Sequence, residues 1–205
     1  MRIPDPVKAG PAIFLWLLAG VFLFSQVVRG QSTCAREVAE IEAYSKKVDR
    51  LIETSHNSSR RVFVTTSRDV ENDSVGWREF KAGAADAGDA VNDNAWVWSG
   101  EGKIVRVKFT FQSESHDMVQ FAMYYYREDG TLARISAQLN LSRGQTTIIR
   151  DQFYDRKGVL IRGSAKSCSL KGGREQKADK HFIPAPLPVY LTIDGLPFSG
   201  ALAKE

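Results

Sequence analysis

Alternation of apolar and polar residues is the sharpest pattern in the second half of the chain, from residue 95 to residue 163. Apolar side chains tend to occupy every second position within short segments, and brief polar stretches separate one segment from the next. This pattern is typical of strands with one buried face, and short polar connections join neighbouring strands into hairpins. We therefore predict six strands, at residues 95–99, 103–112, 118–126, 131–141, 146–154 and 159–163.

A repeat of 28 residues is present in the same region. Gly102, Gly130 and Gly158 are 28 residues apart, and each has an aromatic residue four positions earlier, an aliphatic residue two positions later and an arginine four positions later. A glycine that follows polar residues suits a hairpin turn, because glycine adopts positive φ without steric cost. We therefore predict that each period consists of two strands and two turns.

The apolar positions also predict how these strands pair. If the apolar sets of 118–126 and 131–141 lie on one buried face, Tyr125 must lie opposite Thr131, because a slip of one position would turn one set over. The buried residues of the first set would be Val119, Phe121 and Met123. The same offset at the other two glycine turns pairs Phe153 with Val159 and Val97 with Lys103.

Residues 34–53 have the spacing of an amphipathic helix. Charged residues occupy most of its surface, and the apolar residues close to one face are Val38, Ile41, Val48, Leu51 and Ile52. The buried face of the strands needs a cover, and this helix is the natural candidate. We therefore predict an α+β fold, with an N-terminal amphipathic helix packed on a six-stranded antiparallel meander that has a 28-residue hairpin period.

The beginning of the chain has the pattern of an export signal. Arg2 and Lys8 precede an uncharged, largely apolar run at residues 12–28, which is typical of a signal peptide with cleavage after Gly30. The alternative is an uncleaved anchor, because 17 residues are at the lower limit for spanning a bilayer. We expect an exported protein, periplasmic or secreted, or one anchored by residues 12–28.

These patterns divide the chain into five segments. We predict a signal peptide or anchor at 1–30, a helix at 31–60, an irregular region at 61–94, an antiparallel meander at 95–163 and a partly mobile tail containing proline and glycine at 164–205.

Net charge argues against a nucleic-acid partner. The whole chain has a formal net charge of +4, but residues 1–30 hold three of its positive charges and one negative charge. Cleavage would leave +2, which is too little for an electrostatic case for nucleic-acid binding.

No catalytic motif is present in the sequence. The three histidines, His56, His116 and His181, are far apart along the chain, no pair has metal-ligand spacing, and no phosphate-binding glycine loop or nucleophile motif is found. We therefore predict no catalytic residue, no metal site and no cofactor.

Arginines and tryptophans are the candidate ligand-binding residues. Arg106, Arg134 and Arg162 recur with the repeat and would share one face on alternate strands, where they could bind an anionic envelope polymer such as a polysaccharide. Trp96 and Trp98 could form a platform for carbohydrate or peptide. The alternatives are a solvated outer face for the arginines and cross-strand packing for the tryptophans.

The two cysteines suggest a covalent link. Cys34 lies at the start of the predicted helix and Cys168 just past the last predicted strand, and an even pair in an exported chain is most simply one disulfide. Two unpaired thiols are the alternative.

The hairpins resemble a known type of exported protein. Tyr124-Tyr-Tyr-Arg-Glu-Asp-Gly-Thr-Leu132 and Phe153-Tyr-Asp-Arg-Lys-Gly-Val-Leu160 both contain the form aromatic-aromatic-x-x-x-Gly-x-Leu. This motif is similar to that of uncharacterised exported bacterial proteins with a leader, a helix and repeated hairpins. The resemblance implies a fold and a compartment, and it implies no activity.

Together these patterns favour a non-enzymatic binding or structural module of the cell envelope or periplasm. Its partner would be an anionic envelope polymer or another protein, and it would touch a membrane only through an uncleaved N-terminal segment. One alternative is a hydrolase of envelope polymers whose acid–base pair is assembled by folding. Another is an inhibitor or adaptor that binds through a free sheet edge at 159–163.

Overall fold

One long helix and one antiparallel sheet account for most of the described chain. The structure, a computed structural model, describes residues 12–54, 60–65, 76–80, 93–113, 115–176 and 187–202, with side chains from residue 33 onwards. Contacts divide the chain into two compact units, Met1–Ala39 and Glu40–Glu205.

Helix α1 runs from Ala12 to Thr54 and includes the whole of the predicted helix at 34–53. In the second unit its apolar spacing places Ile41, Val48 and Ile52 on a buried face. Among the residues whose side chains are described, no helix is long and apolar enough to span a membrane.

The sheet has nine strands, and every neighbouring pair is antiparallel. Its spatial order is β2-β1-β3-β4-β5-β6-β7-β8-β9. The strands are β1 (Arg60–Thr65), β2 (Trp77–Glu79), β3 (Asn94–Gly100), β4 (Lys103–Gln112), β5 (Met118–Tyr126), β6 (Leu132–Leu141), β7 (Thr146–Tyr154), β8 (Leu160–Ser169) and β9 (Glu175–Gln176).

The predicted six-stranded meander with a 28-residue period is therefore wrong as a description of the sheet, although a helix and an antiparallel sheet are both present. Strands β1 and β2 form in the region at 61–94 for which the sequence showed no period, and β9 forms in the tail. Strand β1 pairs with β3 along five residues, so the buried side chains of β3 do not lie at a sheet edge. The 28-residue spacing applies only to β3–β8, because the added strands lack the repeated glycine turn.

The predicted pairing is also wrong. Tyr125 lies opposite Arg134 instead of Thr131, Phe153 opposite Arg162 instead of Val159, and Val97 opposite Val107 instead of Lys103.

A tighter turn and one extra residue explain this difference. Arg127 N donates to Thr131 O at 2.8 Å, which leaves a three-residue loop that ends at Gly130 with φ of +79°. The register then shifts by one residue between Tyr125 and Tyr126. The shift moves Tyr124 and Tyr126 into the main core in place of Val119, Phe121 and Met123.

Each face of the sheet has its own cover. On the first, which we call the helix face, Val48 and Ile52 of α1 pack with Trp98 and Tyr125. The opposite face, which we call the tail face, holds the larger core and packs against residues 187–202 through Leu187, Leu196 and Phe198.

Two buried tyrosines anchor the tail segment 187–202. Tyr124 OH donates to Pro188 O at 2.7 Å, and Tyr126 OH donates to Tyr190 O at 3.2 Å. Buried hydroxyls need partners, and these two bonds supply them at the centre of the tail face. The described part of the tail is therefore docked on the sheet.

The predicted disulfide between Cys34 and Cys168 is wrong: both residues are described, and no bond joins their sulfurs. Strand β8 continues to Ser169, so Cys168 lies inside the strand instead of just past it. There it is opposite Thr147 on β7 and Glu175 on β9. Cys34 is exposed on α1.

Phe198 tests the docking of the tail. It is buried and stacks on Phe63 of β1 with ring centroids 4.3 Å apart. We expect Phe198→Ala to lower the free energy of unfolding by about 3 kcal/mol, measured by urea denaturation. The matched control is Val189→Ala at a position 44% exposed, which should cost less than about 0.5 kcal/mol. Equal effects would mean that the segment contributes no core.

Candidate functional site

The three candidate arginines lie on the helix face, one on each of β4, β6 and β8, and each has a carboxylate partner. Arg106 Nη1 lies 2.7 Å from Asp49 of α1, and Arg134 Nη2 lies 2.5 Å from Asp151 of β7. Arg162 pairs with Glu42 of α1. The charges expected to attract an anionic polymer are therefore balanced by the protein itself.

Aromatic rings alternate with these arginines across six strands. Consecutive opposite pairs on β3 to β8 form a row, which we call the arginine–aromatic ladder: Trp98, Arg106, Tyr125, Arg134, Phe153 and Arg162. The guanidinium carbons of its first and last arginines lie 4.2 Å and 4.3 Å from ring centroids, which is close enough for cation–π attraction.

Asp49 joins the ladder to α1. Its Oδ1 accepts from Arg106 Nη1 at 2.7 Å and from Tyr125 OH at 3.0 Å. Burial raises the pKa of Tyr125 to about 12, and the adjacent negative charge of Asp49 contributes in the same direction. One carboxylate thus satisfies two polar groups of the sheet at the place where the helix packs.

Trp96 and Trp98 do not form one open platform. Trp98 is buried, and Trp96 is half-buried with its ring beneath the guanidinium of Arg60 at 4.4 Å and the ammonium of Lys108 at 5.6 Å. The two indoles are 6.1 Å apart and tilted by 44°. Both indoles are on β3, two residues apart, and they pack against basic side chains of the neighbouring strands β1 and β4.

The outer edge of β8 offers an open surface of a different kind. β9 pairs only with Ser167 and Cys168, so along Leu160–Lys166 no strand among the described residues lies on the outer side. Residues 162–166 are all exposed. This edge includes much of the one suggested by the sequence at 159–163.

Two hydrogen bonds fix the direction of each backbone group on that edge. Ser169 N donates outwards to Arg174 O, and Leu170 N donates inwards to Gln145 O. Because residues alternate along the regular part of β8, from Arg162 onwards, the odd-numbered residues Gly163 and Ala165 direct their N–H and C=O groups outwards. The even-numbered residues direct their backbone groups towards β7 and hydrogen-bond with it.

Basic residues and exposed apolar side chains lie along and beside this edge. Between Asp155 and Glu175 the chain has six basic residues and no acidic residue. Val159 is 57% exposed and Leu160 is 50% exposed. An extended segment that carries apolar and acidic side chains would complement both features.

The described residues bring together no metal site. None of their histidine, cysteine and acidic side chains form a group of three that could hold a metal ion. His116 lies on an exposed turn beside Gln112, and His56 and His181 lie outside the described residues.

Comparison with known proteins gives no family. No protein-family model matches the chain, and neither the curated proteins nor the solved structures gave a match. A functional proposal therefore rests on the residues and their geometry.

Asp49→Asn tests the link between helix and ladder. We expect the free energy of unfolding to fall by about 1–2 kcal/mol, because a charged hydrogen-bond acceptor is lost. The pKa of Tyr125 should also fall from about 12, because the negative charge that raises it is removed. Spectrophotometric tyrosine titration and urea denaturation measure both effects. Glu53→Gln, which alters an exposed helix carboxylate, should change neither.

Alkaline pH should destabilise the fold through the same tyrosine. The pKa of Tyr125 is raised from 10.0 to about 12, so its contribution to stability is complete below pH 10 and is lost as pH rises towards 12. Burial also raises the pKa of Tyr124 and Tyr126, which adds to the loss. We expect the urea midpoint to fall between pH 10 and pH 12, and to fall less in Tyr125→Phe. A midpoint independent of pH would contradict this.

Proposed function

We propose that this protein is an exported, non-enzymatic binding module of the cell envelope or periplasm, and that it binds an extended segment of a partner protein along β8. The observation that carries the proposal is the open edge of β8 at Leu160–Lys166, where Gly163 and Ala165 direct their backbone groups outwards and no strand of the described chain pairs with them. An open strand edge binds a further strand through main-chain hydrogen bonds.

Charge defines the class of partner. Six basic residues and no acidic residue lie between Asp155 and Glu175; Arg156 and Arg162 pair with Asp129 and Glu42, and the other four leave the stretch with a positive charge that attracts an acidic strand and repels a basic one. Apolar side chains on the same strand would cover Val159 and Leu160.

The arginine–aromatic ladder supports a protein partner over an anionic polymer. Each of its arginines has a carboxylate within ion-pair distance, two of them from α1. A polymer would have to displace those carboxylates, whereas a strand on the edge of β8 would displace no described contact.

The compartment in the proposal comes from the N-terminal pattern. A basic start and the apolar run at residues 12–28 favour export to the envelope or periplasm.

A proline at residue 165 provides a direct test. Ala165 directs its N–H outwards, so Ala165→Pro removes a donor of the open edge and leaves the hydrogen bonds to β7 in place. The probe is a fluorescent, end-blocked peptide, Thr-Glu-Val-Glu-Val-Glu-Thr, whose binding is followed by fluorescence anisotropy. We expect Ala165→Pro to weaken this binding at least about tenfold with little change in melting temperature.

Two controls make the test specific. Ser164 directs its N–H towards β7, so Ser164→Pro should lower the melting temperature markedly because it removes a backbone hydrogen bond between β8 and β7. A peptide with lysine in place of glutamate should bind at least about tenfold more weakly than the acidic peptide. Equal binding of the two peptides, or full binding by Ala165→Pro, would overturn the proposal.

The intact mass of the protein from its native host tests whether it is exported. We expect protein recovered from its native host to lack residues 1–30, which leaves α1 beginning at Gln31. Reductant should not change this mass, because no disulfide joins Cys34 and Cys168. A full-length, membrane-bound species would instead identify residues 12–28 as an anchor.

A further inference from the structure

A small pocket lies between α1 and the ends of two hairpins, away from the edge of β8. Its volume is about 110 Å³. The helix contributes four residues, the β3–β4 hairpin four and the β5–β6 turn one: Tyr44, Lys47, Val48, Leu51, Gly100, Glu101, Lys103, Val105 and Glu128. The helical residues have i, i+3, i+4 and i+7 spacing, so one face of α1 forms one wall.

Apolar groups form the inner part of this pocket. Val48 is buried, Val105 is half-buried and Leu51 is 41% exposed. A Cβ atom at Gly100 would lie 3.6 Å from Val105 and 3.9 Å from Leu51, so the absence of a side chain there leaves room beside both. The volume is somewhat below the roughly 150 Å³ of an apolar cavity that holds benzene. A branched aliphatic side chain fits a space of this size.

Charged groups of both signs surround the opening. Lys47 and Lys103 supply two ammonium groups, and Glu101 and Glu128 supply two carboxylates. All four side chains are exposed, and none makes an ion pair or hydrogen bond with another described residue. The opening can therefore accept one positive and one negative group of a ligand at the same time.

We propose that this pocket binds a zwitterion with an apolar side chain, the class represented by free branched-chain α-amino acids. The aliphatic side chain occupies the space beside Val48 and Val105. The lysines attract the ligand carboxylate and the glutamates attract its ammonium group. A ligand with only one of these charges leaves one pair of pocket residues without a partner. The site is independent of strand binding on β8.

Calorimetric titration of the full chain with L-leucine tests the site. We expect saturable binding, and we expect N-acetyl-leucine and leucinamide, which each lack one charge, to bind at least about fivefold more weakly. The dipeptide Leu-Leu tests whether a longer zwitterion from a peptide fits equally well. No saturation up to about 10 mM leucine, or equal binding of the two blocked forms, would overturn the proposal.

Substitutions locate the binding in this pocket. Gly100→Leu should abolish binding because its side chain fills the space, whereas Gly172→Leu, at a glycine with no atom within 4 Å of an added Cβ, should not. Lys103→Gln and Glu128→Gln should each weaken binding by roughly fivefold, while Lys171→Gln should leave it unchanged. These charge variants keep the test valid if Gly100→Leu fails to fold. Leucine binding that survives all three pocket variants would overturn the site.

Ala165→Pro separates this site from the edge of β8. It should bind leucine normally while losing the acidic peptide, because Ala165 lies on β8 and does not line the pocket. Loss of both ligands in Ala165→Pro, with the fold intact, would contradict the independence of the two sites.

Discussion

The register of the hairpins is the constraint on which the rest of the structure depends. A three-residue loop that ends in a left-handed glycine closes each turn at Gly130 and Gly158, and one extra residue then shifts the strand behind it. This shift decides which side chains enter the core and which join the ladder. The shift therefore also determines what covers each face of the sheet. The tail segment 187–202 contacts the core side chains, and α1 contacts the side chains of the ladder.

The arginine–aromatic ladder shows how a repeated basic residue can serve structure. Each guanidinium is near an aromatic ring and is paired with a carboxylate, so its charge is compensated twice. Two of the carboxylates come from α1, and the helix is thereby positioned by specific pairs as well as by apolar contact. The arginine–aromatic ladder thus holds α1 on the sheet, while the open edge of β8 and the pocket beside Gly100 lie outside the ladder.

Sequence patterns predicted the elements better than their pairing. Alternation located the strands from β3 to β7 closely, and the glycine spacing located their turns. Neither pattern could reveal the extra residue in each hairpin, since a bulge leaves no mark on apolar alternation. Val119, Phe121 and Met123 were therefore assigned to the buried face that Tyr124 and Tyr126 occupy. The partners Asp49 and Glu42 were also missed, because contacts between distant segments have no local signature. A free edge was predicted at 159–163 because a last strand in a meander lacks a neighbour; β9 pairs with the end of β8, and Leu160–Lys166 has no outer strand among the described residues.

The stacking of Phe198 on Phe63 has a consequence for how the chain acquires its fold. Phe63 lies in β1 and Phe198 lies in the tail segment beyond the last strand, so the core of the tail face stays incomplete until residue 198 has been synthesised. Contacts between such distant segments form late, because a long loop must close before they are made. For a chain exported as we propose, late completion of this core would favour an incompletely folded polypeptide during passage across a membrane.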